Sequence, residues 1–372
     1  MTEPLFNKEL QYCVRCCMPE TAEGIEFDER GVCNACNSSE EKMHIDWSQR
    51  EKALRVKLEK YKEKFKDRSW DCIVPISGGK DSFWQAYVLT KVYGMRPLAV
   101  TFSHNWFSET GKRNLTLLLE SFDLDHIMFT PKRSFINRVA TRSIEKIGDP
   151  CWHCHAGIGA FVIQIAIKFN VPLIIWGEST AEEGCRLSYY ESTKKDVFDE
   201  KYFTKISARQ NVEEMADDNL PLREFEVFRY PSTEEYKAAN IEGFHLGDYQ
   251  FWDEERRTEF IVREFGWEED NVEGAYKRYK SVECVMPGLH DWTKFIKRGF
   301  GRATDQATRD VRAGLLTREE GFDLINEIDP KRPEILDYFL EQTGMAEKEL
   351  IDKLKSLRKG VVKKLKKLSM HI

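Results

Sequence analysis

One short segment constrains the fold of this chain more than any other feature: Ser77-Gly78-Gly79-Lys80-Asp81-Ser82. It follows an apolar run, DCIVPIS (71–77), and opens a stretch with helical periodicity, DSFWQAYVLTKVYG (81–94). Two glycines allow positive φ and let backbone N–H groups approach an anion, while the following helix adds the positive end of its dipole. The serines can add hydroxyl donors, and Asp81 can hold Mg²⁺ beside phosphates. The pattern predicts a strand–loop–helix unit that binds the phosphates of a nucleotide.

Two common phosphate-binding patterns are excluded by the neighbouring residues. A Walker A loop requires Gly at position 74 and Ser or Thr at position 81, where Val74 and Asp81 stand. The dinucleotide fingerprint requires a third glycine, which is missing. The remaining alternative is a helix-capping Gly-Gly turn without a ligand, and the strand–loop–helix context favours the binding site.

The rest of the chain alternates between short apolar runs and helical stretches up to about residue 230. We predict strands at 71–77, 96–104, 126–130 and 171–178 and helices at 81–94, 114–122 and 157–170. Such alternation is typical of right-handed βαβ units and predicts a doubly wound parallel α/β sheet. Beyond residue 230 the strand signal fades, and we predict turns at 286–291 and 297–305 and helices at 317–328, 332–344 and 346–368. The predicted domains are 1–45, 46–230 and a mainly helical region, 231–372.

The amino-terminal region carries two C-x-x-C pairs, Cys13/Cys16 and Cys33/Cys36. Four thiolates at this spacing suit a tetrahedral Zn²⁺, and the region has too little apolar material to fold without it. We therefore predict a closed, structural zinc site, with Cys17 as a spare ligand that could replace Cys16. Four unligated thiols are the alternative.

Two further features leave their function open. Cys151 and Cys154, within CWHCH, supply only two metal ligands, which Cys185 or Cys284 could complete, and a pair of buried thiols is equally compatible. A glycine-spaced basic run, 294–305, continues through Arg309 and Arg312 and suits a diphosphate or another anion, although it could be a solvated turn.

The glycine-containing segment resembles the PP-loop, SGGxDS, of the ATP pyrophosphatase superfamily. The resemblance implies an adenine nucleotide alpha hydrolase-like sheet, with ATP at the carboxyl ends of the strands and attack at its α-phosphate. It further implies that Val100 to Ser103 flank the adenine and that Gly177 and Glu178 lie across the cleft. The implied ATP and pyrophosphate ligands are Ser77, Gly78, Gly79, Lys80, Asp81, Ser82 and Gly177, of which Lys80 and Asp81 are the catalytic candidates.

Over nearly its whole length the chain is similar to the N-acetyl sugar amidotransferases of surface-polysaccharide biosynthesis. The likeness lies in the basic run, HLGDYQFWD (245–253), the amino-terminal cysteines, CWHCH and the WGE after a strand. It implies that ATP, Mg²⁺ and ammonia convert the acetamido group of a UDP-linked sugar to an acetamidino group. Separate subunits resembling the glutaminase and synthase of imidazole glycerol phosphate synthase would supply the ammonia. The implied substrate ligands are Tyr249, Trp252, Lys297, Arg298 and Arg302.

Two other functions remain as alternatives. A tRNA-modifying PP-loop thiolase shares the central C-x-x-C, which in those enzymes holds an iron–sulfur cluster, and a basic tail (353–368). The net charge of −6 and the confinement of the basic tail to one end argue against nucleic acid as the partner. A zinc-dependent scaffold without ATP is the non-enzymatic alternative. No apolar stretch approaches 18 residues and no secretory signal is recognisable, so we expect a cytoplasmic protein without a membrane span.

Overall fold

The computed structural model describes residues 10–179, 181, 188–193, 202–360 and 362. Its centre is a parallel sheet of five strands in the order β3-β2-β1-β4-β5, so the doubly wound sheet predicted from the sequence is confirmed. The chain winds outward from β1 in one direction through β2 and β3, then returns to the other side for β4 and β5. The strands are β1 Cys72–Pro75, β2 Pro97–Phe102, β3 His126–Phe129, β4 Leu173–Trp176 and β5 Glu242–His245.

Fourteen helices accompany the sheet in the described part of the chain. They are α1 Asn34–His44, α2 Trp47–Lys64, α3 Lys80–Tyr87, α4 Glu109–Phe122, α5 Arg133–Ile147, α6 Trp152–Phe169, α7 Val212–Met215, α8 Thr233–Ala238, α9 Glu254–Phe265, α10 Pro287–Arg298, α11 Arg302–Ala313, α12 Arg318–Ile328, α13 Ile335–Thr343 and α14 Glu347–Ser356. Helix α3 continues into a π-helical turn, Val88–Val92.

The sheet is buried on both faces because its side chains alternate between two apolar cores. Ile73 and Ile174 pack with α5, α6 and the carboxyl-terminal helices α10, α13 and α14 on one face. Val74 and Ile175 pack with α2, α3, α4 and α9 on the other face. Burying each such side chain contributes about 1.5–3 kcal/mol to folding, so both faces help to hold the strands in place. The two layers fix the carboxyl ends of β1 and β4, where the order of the strands reverses.

The four predicted strands are present, but the sequence analysis missed the fifth. Strand β5 lies beyond residue 230 and pairs with β4 through Ile174 and Gly243. Two predicted helices begin earlier than expected. Helix α4 begins at Glu109 because Ser108 caps it, with Ser108 Oγ accepting the N–H of Gly111 at 2.8 Å. Helix α6 begins at Trp152, so CWHCH lies on its first turn.

The carboxyl-terminal region is helical, as predicted, but its two predicted turns are largely wrong. Residues 287–298 form α10, which starts with Pro287 in its first turn, a position that suits proline because the missing N–H would have no helical partner. Gly299 ends this helix with a φ of +84°, and α11 begins at Arg302. Helix α14 ends at Ser356, and residues 363–368 of the predicted last helix lie outside the described residues.

Across the described ranges, no single helix is both long and apolar enough to cross a membrane. Helices α5 and α6 meet that test only as a pair, across a bend of 110°.

Candidate functional site

The PP-loop connects β1 to α3 at the point where the sheet order reverses, which is where open α/β sheets bind ligands. Gly78 has a φ of +85°, and a Cβ added there would lie 2.6 Å from the carbonyl oxygen of Gly111. Both the backbone conformation and the close approach of α4 therefore require glycine. The indole of Trp267 fixes the loop from outside by donating to the carbonyl oxygen of Gly78 at 3.0 Å.

The two serine hydroxyls shape the loop. Ser82 Oγ accepts the N–H of Ser77 at 3.3 Å and donates to the carbonyl oxygen of Gly79 at 2.9 Å. Ser77 Oγ accepts the N–H of Gly79 at 3.3 Å. The loop thus lies at the amino-terminal end of α3 with its conformation fixed from within, as an anion-binding turn requires.

Lys80 and Asp81 form a close ion pair at the start of α3. The Lys80 side chain is only 6% exposed, yet Asp81, Glu254 and Glu178 outweigh the effect of its burial and raise the pKa of the ammonium above its ordinary value. Burial raises the pKa of Asp81 to about 6 against the opposing charge of Lys80, and Glu178 and Glu254 add to the increase. The carboxylates around Lys80 would repel a bare polyphosphate, so the pattern favours a nucleotide that carries a divalent cation.

A cavity of about 350 Å³, which we call the charged cavity, opens on the PP-loop. One wall comes from Ser77 and Gly79 to Ser82, and the other from α10, α11 and the segment before them. Positive side chains of that second wall are Lys280, Lys294, Arg302 and Arg309. Carboxylates that line the same space are Asp81, Glu178, Glu283, Asp291 and Asp305.

The cations of the second wall are held by these and neighbouring carboxylates. Arg302 Nε lies 2.6 Å from Asp291 Oδ2, and Lys294 Nζ lies 2.9 Å from Asp291 Oδ1. Glu254 pairs with both Arg309, at 2.7 Å, and Lys280. Partly buried pairs of this kind restrict the orientation of the side chains, so the cations are positioned before any ligand arrives.

A second cavity of about 290 Å³, the apolar cavity, adjoins the charged cavity. Val100, Phe102, Ile158, Val162 and Trp176 line it, as do Gly177 and Glu178 after β4. Both cavities share Ser77, Asp81, Ser82 and Glu178. A ligand with a flat apolar ring and a polyphosphate fits this combination, and adenine contact by Val100 to Ser103 stays a prediction.

Only one of the five predicted substrate ligands, Arg302, lines the charged cavity. Lys297 is buried and donates to the carbonyl oxygen of Ile147 at 2.8 Å, and Arg298 pairs with Glu23. They diverge from Arg302 because the chain turns at Gly299, between α10 and α11. The two aromatic candidates, Tyr249 and Trp252, are buried in the core that contains Val74, and neither lines the charged or the apolar cavity.

Lys280 and Glu283 of the charged cavity were missed by the sequence analysis, whereas Arg302 was a substrate candidate and Arg309 belonged to the basic run. Lys280 and Glu283 lie in a segment without regular secondary structure, and nothing in their spacing distinguishes them.

The four amino-terminal cysteines form a compact group whose Sγ atoms all lie within 4.8 Å of one another. All four side chains are buried, and the backbone N–H groups of Arg15 and Cys33 point at Cys13 Sγ, at 3.4 and 3.2 Å. This donor set fits a tetrahedral ion bound by thiolates, so the cluster could hold zinc. Cys17 packs instead against Ala307 and Ile325 of α11 and α12, away from the group.

The cysteine module is docked on the carboxyl-terminal helices. The guanidinium of Arg318 donates to the carbonyl oxygens of Cys13 and Cys16 at 3.0 and 3.1 Å. Arg312 Nη1 lies 3.8 Å from Cys16 Sγ. Because Arg312 belongs to the helix that carries Arg302 and Arg309, the module braces one wall of the charged cavity.

The central cysteines do not form a compact ligand group in the described part of the chain. Neither Cys151 nor Cys154 belongs to a set of three metal-binding side chains whose ligand atoms lie within 4.8 Å. Cys185 lies outside the described residues, and metal binding by Cys151 and Cys154 stays a prediction. A different group, Asp149, His155 and His290, does meet the distance criterion.

A comparison with known protein families finds a match for the part of the chain that forms the second wall of the charged cavity, opposite the PP-loop. Residues 273–366 match the family model of the LPS biosynthesis protein WbpG-like, C-terminal domain. The matched residues make up about a quarter of the chain. The match confirms the resemblance to a surface-polysaccharide biosynthesis family, and the WbpG-like segment includes Lys280, Lys294, Arg302 and Arg309 of the charged cavity.

Among solved structures, NMN synthetase from Francisella tularensis is similar over 59% of this chain and 87% of its own length. The two chains are 13% identical over that region, with a TM-score of 0.30. No curated protein matches the sequence.

Proposed function

We propose that the protein is an ATP-dependent amidotransferase of LPS and O-antigen biosynthesis. Its substrate would be a nucleotide-linked sugar whose acetamido group becomes an acetamidino group. The observation that carries the proposal is the charged cavity, because a PP-loop forms one wall and a WbpG-like segment forms the other. The enzyme would thus bring an activating nucleotide and a surface-polysaccharide precursor to one place.

In this proposal ATP spans the two cavities. The adenine occupies the apolar cavity between Phe102 and Trp176, and the β- and γ-phosphates rest on the PP-loop. The α-phosphate then lies near the residues that both cavities share, Ser77, Asp81, Ser82 and Glu178. The diphosphate of the sugar nucleotide occupies the opposite side, where Lys294, Arg302 and Arg309 can exchange carboxylate contacts for phosphate contacts.

The chemistry solves the problem that an amide oxygen is a poor leaving group. The acetamido oxygen attacks the α-phosphorus of ATP, a P–O bond forms, and the bond to pyrophosphate breaks. Ammonia then adds to the imidate carbon, its nitrogen loses one proton, and the C–O bond breaks to release AMP. The acetamidino group keeps the new C–N bond, and the oxygen leaves with AMP.

The side chains of the PP-loop stabilise charge during these steps. Lys80 and the backbone N–H groups at the start of α3 neutralise the departing pyrophosphate. Mg²⁺, when bound, would screen the phosphates, and Asp81 and Glu178 are the carboxylates in position to hold it.

Ammonia comes from separate subunits that resemble the glutaminase and synthase of imidazole glycerol phosphate synthase. The sequence has no recognisable glutaminase module, so the isolated chain should use free ammonium. Hydrolysis of glutamine by the purified chain alone would contradict this part of the proposal.

A tRNA-modifying thiolase is the second candidate, because Cys151 and Cys154 form the C-x-x-C pair that holds an iron–sulfur cluster in those enzymes. Burial, with Asp149, Cys154 and Cys284, raises the pKa of the Cys151 thiol well above its ordinary value. A brown, oxygen-sensitive protein would favour the thiolase, and a colourless zinc protein the amidotransferase.

The experiment that separates the candidates follows AMP released from α-labelled ATP in the presence of Mg²⁺ and ammonium. Parallel reactions receive a panel of UDP-acetamido sugars or bulk tRNA, and mass spectrometry identifies the product. We expect AMP only with a sugar, together with a product in which one oxygen is replaced by NH. AMP formed only with tRNA would reject the amidotransferase and establish the thiolase.

A further inference from the structure

Three potential metal ligands meet at the border of the charged and apolar cavities. Asp149 lies between α5 and α6, His155 lies on the first turn of α6, and His290 lies on the first turn of α10. One nitrogen or oxygen atom from each lies within 4.8 Å of the others. His290 lines the charged cavity and His155 the apolar cavity, so the group joins the two spaces.

The carboxylate of this group is held in one orientation. Asp149 is 3% exposed, and its Oδ1 accepts the N–H of Cys151 at 2.9 Å. Its Oδ2 lies 3.3 Å from Arg209 Nη1, and its Oδ1 lies 2.9 Å from His290 Nδ1. Carboxylates that bind metals are commonly fixed in this way by neighbouring donors, because an oriented oxygen loses less entropy on binding.

A hydrogen-bonded Asp–His pair explains only two of the three side chains. The third side chain is His155, which belongs to a different helix from His290. One of its ring nitrogens lies within 4.8 Å of the ligand atoms of Asp149 and His290. The complete set is two imidazoles and one carboxylate, which we infer to be a metal site. We propose that Asp149, His155 and His290 bind a divalent first-row transition-metal ion.

The donor atoms and the surrounding charge select the class of ion. Mg²⁺ and Ca²⁺ require mostly oxygen ligands, whereas imidazole suits Zn²⁺, Cu²⁺, Ni²⁺ and Fe²⁺. Arg209 already compensates the single carboxylate, so a hard ion gains little from its charge. The site therefore differs from the magnesium expected beside the PP-loop.

This site also differs from the cysteine cluster in its openness. The four cysteines are buried and supply a full tetrahedral shell, whereas three protein ligands leave at least one position open. Both imidazoles line cavities, so a small ligand such as water or ammonia could complete the shell from there. The binding of the ion does not depend on the proposed amidotransferase activity.

Cobalt substitution tests the proposal on the full chain. The chain is stripped of metal, loaded with Co²⁺ and analysed by mass spectrometry for metal content and by absorption spectroscopy. Co²⁺ bound by thiolates gives a strong charge-transfer band, whereas Co²⁺ bound by nitrogen and oxygen gives only weak visible bands. We expect two ions per chain in the wild type, of which only one contributes the charge-transfer band.

The variants His290→Gln and His155→Gln should each lose the second ion and keep the charge-transfer band. His126→Gln is the matched control and should retain both ions, because His126 lies on β3 and its Nε2 is hydrogen-bonded to Thr101 Oγ1 of β2. A wild type whose only bound ion gives the charge-transfer band, or a His290→Gln variant that still binds two ions, would overturn the proposal. A second ion that Cys154→Ser loses and His290→Gln keeps would overturn it as well. A wild type that binds no ion at these three residues would overturn the proposal too. If its His290→Gln variant then changed only the pH profile of activity, Asp149 and His290 would be an acid–base pair.

Discussion

The two ligand clusters of this protein are built in opposite ways. The cysteine cluster takes its four ligands from two short C-x-x-C turns, 13–16 and 33–36, and closes them inside a buried module. The cluster of Asp149, His155 and His290 takes two ligands from the start of α6 and the residues before it and the third from the distant helix α10, and it opens on two cavities. The first is a property of local spacing, and the second exists only after the sheet and helices have assembled.

The nucleotide site shows the same contrast. The PP-loop is six consecutive residues after a strand, whereas the opposite wall collects Lys280 from an irregular segment, Lys294 from α10 and two arginines from α11. Local motifs therefore supply the phosphate-binding turn and the four cysteines, and tertiary packing supplies the residues of the opposite wall. Substitutions in the two kinds of region should differ in size and in what they affect.

The largest effect is expected in the cysteine module. Cys33→Ser should remove the zinc and lower the free energy of unfolding by more than about 4 kcal/mol, because the ligands themselves form much of the core of the module. Metal content and thermal unfolding measure the result. Cys17→Ser is the control, since Cys17 is equally buried but packs against Ala307 and should leave the zinc in place. Loss of zinc from the Cys17→Ser variant, with zinc retained in the Cys33→Ser variant, would contradict the assignment of Cys33 as a zinc ligand.

The next largest effect concerns the PP-loop. Gly78→Ala introduces a Cβ 2.6 Å from a backbone oxygen at a positive φ, so the loop must move and ATP binding should fall by at least about tenfold. Calorimetric titration with ATP and Mg²⁺ measures the affinity. Gly314→Ala is matched, because it has a φ of +74° but no atom within 4 Å of the added Cβ. It should cost only about 1 kcal/mol of stability, and unchanged ATP affinity in the Gly78 variant would disprove the role of the loop.

A smaller effect is expected in the assembled wall. Arg302→Lys keeps the charge beside Asp291 but removes the fork that also donates to Ser281 Oγ at 2.8 Å. A charge-assisted hydrogen bond contributes about 1.5–3 kcal/mol. Because that free energy is lost from the transition state, kcat/KM for the sugar nucleotide should fall roughly 10- to 100-fold. Arg298→Lys is the control, because Arg298 pairs with Glu23 outside the cavity. Equal losses in both variants would show that the position of Arg302 in the charged cavity does not explain the effect.

The smallest expected effect is a pH dependence of anion binding that Lys280, in the same wall of the charged cavity, should confer. Burial and the neighbouring charge of Lys80 lower the pKa of Lys280 to about 8. Its positive charge is present below that pH and lost above it, so affinity for an anionic ligand should decline as pH rises from 7 to 9. Lys280→Arg should bind with little change over this range, since guanidinium stays charged. A parallel decline in both proteins would assign the titration to another group.

The sequence was sufficient for the features that depend on neighbours along the chain. Four strands, the PP-loop and the cysteine module were all predicted, because short apolar runs, paired glycines and C-x-x-C spacing act locally. Strand β5 escaped prediction because it has only four residues, one of them glycine, and is stabilised by pairing with β4. Packing determined the remaining differences.

The basic run shows why packing could not be anticipated. Its residues are close in sequence, but the left-handed turn at Gly299 directs Lys297 toward α5 and Arg302 toward the PP-loop. Tyr249 and Trp252 follow β5 into the core, where they pack against apolar neighbours. Charge and aromatic content suggested candidate ligands, but the direction of each side chain depends on the folded chain.

Transfer of oxygen tests the central claim most directly, that the two walls meet to adenylate an acetamido oxygen. The acetamido group of the UDP-sugar is labelled with ¹⁸O, the reaction is run with ATP, Mg²⁺ and ammonium, and the released nucleotide is analysed by mass spectrometry. The account predicts one ¹⁸O in AMP and none in pyrophosphate. Labelled inorganic phosphate accompanied by ADP, or AMP without the label, would contradict it.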